Sequence, residues 1–167
     1  MHVRLISYTQ PDINAIDQSE IKDLSELVAY CARVSNPGNQ NNSKTANKLL
    51  KYMIDNKHWS PFEMVNVCLE ITTTRDIGRQ LLRHRSFSFQ EFSQRYADPT
   101  DAQSGLDFSI RECRLTNSRM YVNGTLRSWI HYIEVRSGNG TQKEHMNIAL
   151  ECAKVIAKIF PLLTETQ

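Results

Sequence analysis

The chain has 167 residues, of which 40% are hydrophobic and 23% charged, with a formal net charge of +2. That length and apolar content suit one folded domain with a real core and exclude an intrinsically disordered chain. No apolar run approaches the roughly 20 residues of a membrane span, and MHVRLISYTQ lacks a basic-then-apolar leader pattern, so the expectation is a cytoplasmic protein (host cytoplasm if the source is viral) that engages no membrane.

In chain order, residues 2–8 (HVRLISY) read as a short strand. Residues 18–33 carry Ile21, Leu24, Val28 and Cys31 at helical spacing. NPGNQNN (36–42) is a loop dense in turn formers. Ser43 is placed to cap a second helix whose apolar face is Ala46, Leu49, Leu50, Met53 and Ile54. HWSP (58–61) breaks that helix. Val65, Val67, Leu69 and Ile71 then alternate with Met64, Asn66, Cys68 and Glu70, which predicts a strand. Residues 74–84 return to helix, and 86–118 show no convincing period. A helix resumes with Leu126, Trp129, Ile130 and Ile133. SGNG (137–140) turns the chain, and Thr141-x-x-Glu144 matches a capping box opening a last helix with core face Ala149, Cys152, Ala153, Ile156 and Phe160. There is no repeat and no linker, so the fold class is α+β in a single domain.

The four cysteines, Cys31, Cys68, Cys113 and Cys152, form no C-x-x-C pair, which argues against a zinc ribbon or a thioredoxin-type site. Cys31 and Cys152 fall in apolar helical patterns, where a thiol behaves as a small hydrophobe. No histidine spacing suggests a metal.

Positive charge is concentrated between Arg75 and Arg95, where five arginines (Arg75, Arg79, Arg83, Arg85, Arg95) meet two acids, Asp76 and Glu91. Arg75, Arg79 and Arg83 fall at i, i+4 and i+8, one face of a helix. Beyond them the loop SFSFQEFSQRY mixes hydroxyls, amides and a carboxylate with aromatic rings. Three readings stay open at this level. The first is a solvated basic helix with a polar loop. The second is a nucleotide or dinucleotide site, with guanidinium forks for phosphate and Ser, Gln and Glu for sugar and base. The third is a nucleic-acid-binding module over 75–96, with Phe87, Phe89, Phe92 and Tyr96 as stacking platforms, against which the near-neutral whole-chain charge weighs.

The run RHR-x-x-S-x-x-E-x-S-x-R-Y over 83–96 resembles the signature of the flavin-dependent thymidylate synthases. His58-Trp59-Ser60-Pro61-Phe62-Glu63 is similar to that family's H-x-[ST]-P-F-E block. Leu126 to Arg136 (LRSWIHYIEVR) is similar to its R-S-x-x-H-[FY]-I-x-L-R helix, Gln142 and Glu144 to the Q-x-E that follows, and Cys31–Ser35 to an early A-R-V-S. The phrases FQEFSQRY and NGTQ look closest to large-virus and phage members. One departure stands out: between Tyr96 and Tyr121 the family usually carries a longer insertion ending near A-R-x-x-L-P. Here the domain spanning 1–167 is shortened between about 97 and 119, with Glu112-Cys113-Arg114 as a remnant of that motif and Arg114 as its phosphate-ligand position.

This resemblance implies an α+β domain with a central antiparallel sheet flanked by helices, of the thymidylate synthase-complementing type. It implies reductive methylation of dUMP to dTMP, with carbon from methylenetetrahydrofolate, hydride from FAD in its reduced form (FADH2), and NADPH regenerating that flavin. No cysteine nucleophile is used. Arg136 takes the catalytic position at the uracil edge; from spacing alone it reads as a dipole partner at a helix C-terminus. The dUMP positions are Gln80, Arg83, Glu91, Ser93, Gln94, Arg95 and Arg136, with Ser93 and Arg95 at the phosphate. The FAD positions are Ser60, Arg83, His84, Arg85, Glu91, Thr125, Arg127 and His131, with His58 near the flavin ring. Partners implied are dUMP, folate and further copies of the chain in a homotetramer with inter-subunit active sites, and neither nucleic acid nor membrane. An inactive, shortened family member is the remaining alternative.

Overall fold

Strict alternation dictates the centre of the fold. Val65, Val67, Leu69 and Ile71 are fully buried; the last three lie in β2 (Asn66–Thr74), which is preceded by β1 (His2–Tyr8) at the N-terminus. The computed structural model describes residues 1–12, 14, 21–93, 110–111, 114–115, 117–138 and 141–164. β3 (Ser88–Glu91) and β6 (Asn117–Thr125) complete a four-stranded sheet in the order β1-β2-β6-β3. All its pairings are antiparallel, and a register shift between Leu5 and Ser7 bends the β1 edge. A separate two-residue ribbon joins β4 (Ile110–Arg111) to β5 (Arg114–Leu115). The expected α+β class with a central antiparallel sheet is what the chain adopts.

Among the described residues five helices accompany the sheet: α1 (Leu24–Ala32), α2 (Ala46–Asp55), α3 (Arg75–Leu81), α4 (Leu126–Ser137) and α5 (Lys143–Ile156). α1 packs on α2, and α4 packs on α5. The apolar faces read from the sequence are the buried ones: Leu126, Trp129, Ile130 and Ile133 on α4, and Ala149, Cys152, Ala153 and Ile156 on α5. Trp129 is wholly buried, and its indole N–H donates to the Val67 carbonyl at 3.0 Å, which pins α4 to β2 while satisfying the one polar atom of the ring. Among the described residues no helix is long and apolar enough to cross a membrane.

Several local expectations need correction. Ser43 opens a 3-10 turn (Ser43–Thr45) and does not cap α2, whose cap position is Thr45 with no side-chain capping hydrogen bond. The first helix begins at Leu24, where the Asp23 carboxylate accepts from the Glu26 N–H; residues 15–20 lie outside the described ones. The basic helix ends at Leu81, so Arg83 stands in the following turn and not on a face shared with Arg75 and Arg79. Thr141 caps nothing: α5 starts after Gln142, whose side chain is turned elsewhere. The stretch 86–118, without visible period, holds β3, the short ribbon and the start of β6.

Candidate functional site

After α3 the chain turns through His84 and is anchored by Phe87, which is buried against Trp129 with ring centroids 4.5 Å apart. Gly124 on β6 makes room for that ring: a Cβ there would lie 2.3 Å from Phe87 Cδ1. The anchored turn presents His84 to α4 and α5. Its ring meets Tyr132 edge-on at 5.1 Å and faces His145 at 6.4 Å. Arg136, near the end of α4, donates from Nε (3.3 Å) and Nη2 (3.1 Å) to His84 Nε2. A guanidinium has no acceptor, so His84 carries its proton on Nδ1. Burial, the Arg136 charge and then His131 hold the His84 pKa below its ordinary value, so the imidazole is neutral at physiological pH.

Gln80, on the last turn of α3, closes this cluster. Its Nε2 donates to Gln142 Oε1 at 3.1 Å, and its Oε1 lies 3.3 Å from His145 Nδ1. Arg83 and Arg85 flank His84 with exposed side chains that have no ion-pair partner among the described residues. Glu91 sits at the end of β3, accepting from Ser118 Oγ at 2.9 Å and lying 3.6 Å from Arg79. Ser93 follows it, half-buried. Gln94 and Arg95 lie outside the described residues, as do Glu112, Cys113 and the side chain of Arg114.

On the other flank of the turn, a groove of about 510 Å³ is lined by residues that include Trp59, Glu63, Ser86, Thr125, Arg127, His131 and Glu134. Three of the residues expected at FAD, Thr125, Arg127 and His131, thus share one wall. Arg127 and His131 are exposed one helical turn apart, opposite the buried face of α4. Arg127 is paired with Glu63. Thr125 also caps α4, its Oγ1 accepting from the Ser128 N–H at 3.2 Å. Ser60 opens the 3-10 turn Ser60–Glu63 beside this groove without lining it. His58 is not brought to the groove: it is exposed and stacks edge-on with Tyr52 at 6.1 Å.

Other features have structural roles. Arg33 of the A-R-V-S block is buried, donating to the Asn42 carbonyl and to Thr45 Oγ1. The Cys31, Cys68 and Cys152 thiols are free, and burial pushes the pKa of each up, the wrong direction for a nucleophile. Phe87 is in the core and Phe92 lies under the Arg119 guanidinium at 5.9 Å, so neither matches the open stacking platform of the nucleic-acid reading. Sequence reasoning missed Tyr132 and His145. Its available signal was a histidine on the core face of α5, in line with Ile148, Ala149 and Cys152.

The thymidylate synthase complementing protein family matches residues 16–115 and 114–162, most of the chain in two pieces. The chain belongs to this family. A family relative from Synechocystis sp., named flavin-dependent thymidylate synthase, is 41% identical over 96% of both chains. Another from Paramecium bursaria Chlorella virus 1, named probable flavin-dependent thymidylate synthase, is 39% identical over 99% of this chain and 98% of its own. The latter alignment runs over 216 residues against the 167 here, so it leaves gaps opposite the viral protein. The fold is also that of a UMP/dUMP methylase, PolB from Streptomyces cacaoi, in a crystal structure with 5-Br dUMP: TM-score 0.73 over 98% of this chain and 93% of that one, at 19% identity.

Proposed function

We propose that this chain is a cytoplasmic flavin-dependent thymidylate synthase that converts dUMP to dTMP, with methylenetetrahydrofolate as carbon donor and NADPH as the source of reducing power. The observation that carries this reading is the meeting of His84 and Arg136 between two flanks, the exposed Arg83 and Arg85 with Gln80 on one side and the Thr125–Arg127–His131 groove on the other. The donor set suits FAD: exposed guanidinium groups for a diphosphate and hydroxyl and imidazole groups for the remainder, and among the described residues no thiol lines the groove. When bound, the flavin supplies the hydride.

The protein's part is binding and charge. Arg136 directs two of its five N–H donors to His84, leaving three for the N3/O4 edge of uracil. A cation there stabilises negative charge growing on that edge and so enriches C5, the carbon that is to be methylated. Neutral His84 holds the fork without competing for the anion. Gln80 and Arg83 approach the base from α3 and its following turn, while Glu91, Ser93, Gln94 and Arg95 wrap the nucleotide, with Ser93 and Arg95 at its phosphate. The free thiols take no part.

The same reading extends to assembly and length. Exposed Val34 (71%), Tyr52 and Met64 (57% each) are apolar surface suited to burial between copies, which supports a homotetramer with shared sites. The break of the family match at residues 114–115 supports a domain shortened near there.

Purified protein is expected to be yellow, to release tritium from C5-labelled dUMP when folate donor and NADPH are supplied, and to sediment as a tetramer. A colourless protein that fails to take up FAD overturns the reading. A flavin-loaded protein that binds dUMP without turnover identifies an inactive member instead.

A further inference from the structure

We propose that His145 is a positioning residue for Gln80, acting as its Nδ1–H tautomer to set which polar atoms Gln80 turns toward the pyrimidine ring. The substrate half of this inference rests on the dUMP reading above. His145 is 1% exposed, and its Nδ1 lies 3.3 Å from Gln80 Oε1. Gln80 Nε2 in turn reaches Gln142 Oε1 at 3.1 Å. A side-chain amide and an imidazole can satisfy such a chain in two ways. Either His145 donates from Nδ1 and Gln80 donates onward to Gln142, or both amides are reversed and His145 accepts at Nδ1 while Nε2 carries the proton.

The surroundings choose the first. His145 Nε2 is buried without a hydrogen-bond partner among the described residues, so in the second arrangement a buried N–H would be orphaned. It would also point its positive end into a pocket that already feels the Arg136 charge. In the first arrangement Nε2 offers a lone pair, which that cation favours. The Tyr132 hydroxyl, likewise buried and unpartnered, lies on the ring packed beside it at 5.8 Å between centroids. Burial, Arg136 and His84 push the His145 pKa down to about 4, so the tautomer persists at neutral pH. With Nδ1–H fixed on its oxygen, Gln80 keeps one N–H and one Oε1 lone pair free, a donor–acceptor pair matching the alternating edge of a uracil ring.

The test uses full-length, flavin-loaded protein with ¹⁵N-labelled histidine. Long-range ¹H–¹⁵N spectra are expected to show His145 protonated at Nδ1, with a resonance that shifts in Gln80→Leu. His145→Leu is expected to raise the KM or Kd for dUMP roughly tenfold, with kcat changed much less, the scale of one lost hydrogen bond. His145→Asn, which retains a donor near the Nδ1 position, is expected to restore most of that loss. Combining Leu at 145 with Gln80→Leu should add nothing. An Nε2–H tautomer, or a His145 signal indifferent to Gln80→Leu, overturns the positioning role even in an active enzyme. Wild-type protein that does not bind dUMP overturns the nucleotide reading and the substrate half with it, while the tautomer result stands separately.

Discussion

At the scale of single residues, Arg136 shows what sequence position leaves undecided. Near the end of a helix, an arginine serves equally well as a dipole partner or as a ligand-binding group. Its guanidinium also reaches one imidazole nitrogen of His84 through Nε and Nη2, a contact that either role allows. Arg136→Ala is expected to keep fold and flavin while turnover falls on the order of 100- to 1,000-fold, the usual cost of one preorganised donor to developing charge. Arg136→Lys should not rescue it, because an ammonium cannot reach His84 and the ring edge with one planar fork. Steady-state kinetics with dUMP decide the matter: near-normal turnover in the lysine variant would return Arg136 to a structural role.

At the scale of elements, β6 approaches the turn after α3 closely enough that only glycine fits at position 124. Gly124→Ala places a methyl within 2.3 Å of the Phe87 ring. Overpacking of this kind costs about 1–3 kcal/mol, and it should also disturb the turn that presents His84. Thermal unfolding of the variant is expected at a lower Tm, and an unchanged Tm would show the turn to be loosely held. This same contact explains what the sequence hid. β2 was legible because Val67, Leu69 and Ile71 make three inward positions in a row apolar. β6, equally central, faces the core with Ser118, Met120, Val122 and Gly124, so a hydroxyl that holds Glu91 and a glycine that admits Phe87 interrupt the apolar period. The helices of α4 and α5 were legible from their faces, yet the capping box at Thr141 misled, because the Gln142 side chain that follows is turned to Gln80. The candidate site itself was legible through family motifs for Thr125, Arg127, His131, His84 and Arg136. His145 was not, because a polar residue on an apolar face gives no sign of its partner.

At the scale of the whole molecule, two neutral histidines, His84 and His145, tie stability to pH. They face each other, Tyr132 and Arg136, with Gln80 at the edge of the cluster. Unfolded, an ordinary imidazole takes up a proton near pH 6.5; folded, His145 resists protonation down to about 4. The unfolded state therefore binds more protons between those values, and stability falls as pH drops through that window and levels off below it. For His145 alone the contribution is on the order of 3 kcal/mol. Urea unfolding at pH 7 and pH 5 should show a smaller difference in His145→Leu than in wild type; equal differences would mean the imidazole is not held neutral. The pairing of β2 with β6 has a consequence of another kind. Nine residue pairs, from Asn66↔Thr125 to Thr74↔Asn117, lock two strands far apart in the chain. Closing a loop costs entropy only logarithmically in its length, about 0.6 kcal/mol for each doubling. Halving the connection between β3 and β6 therefore changes the cost of closing it by only about 0.6 kcal/mol while lowering the contact order.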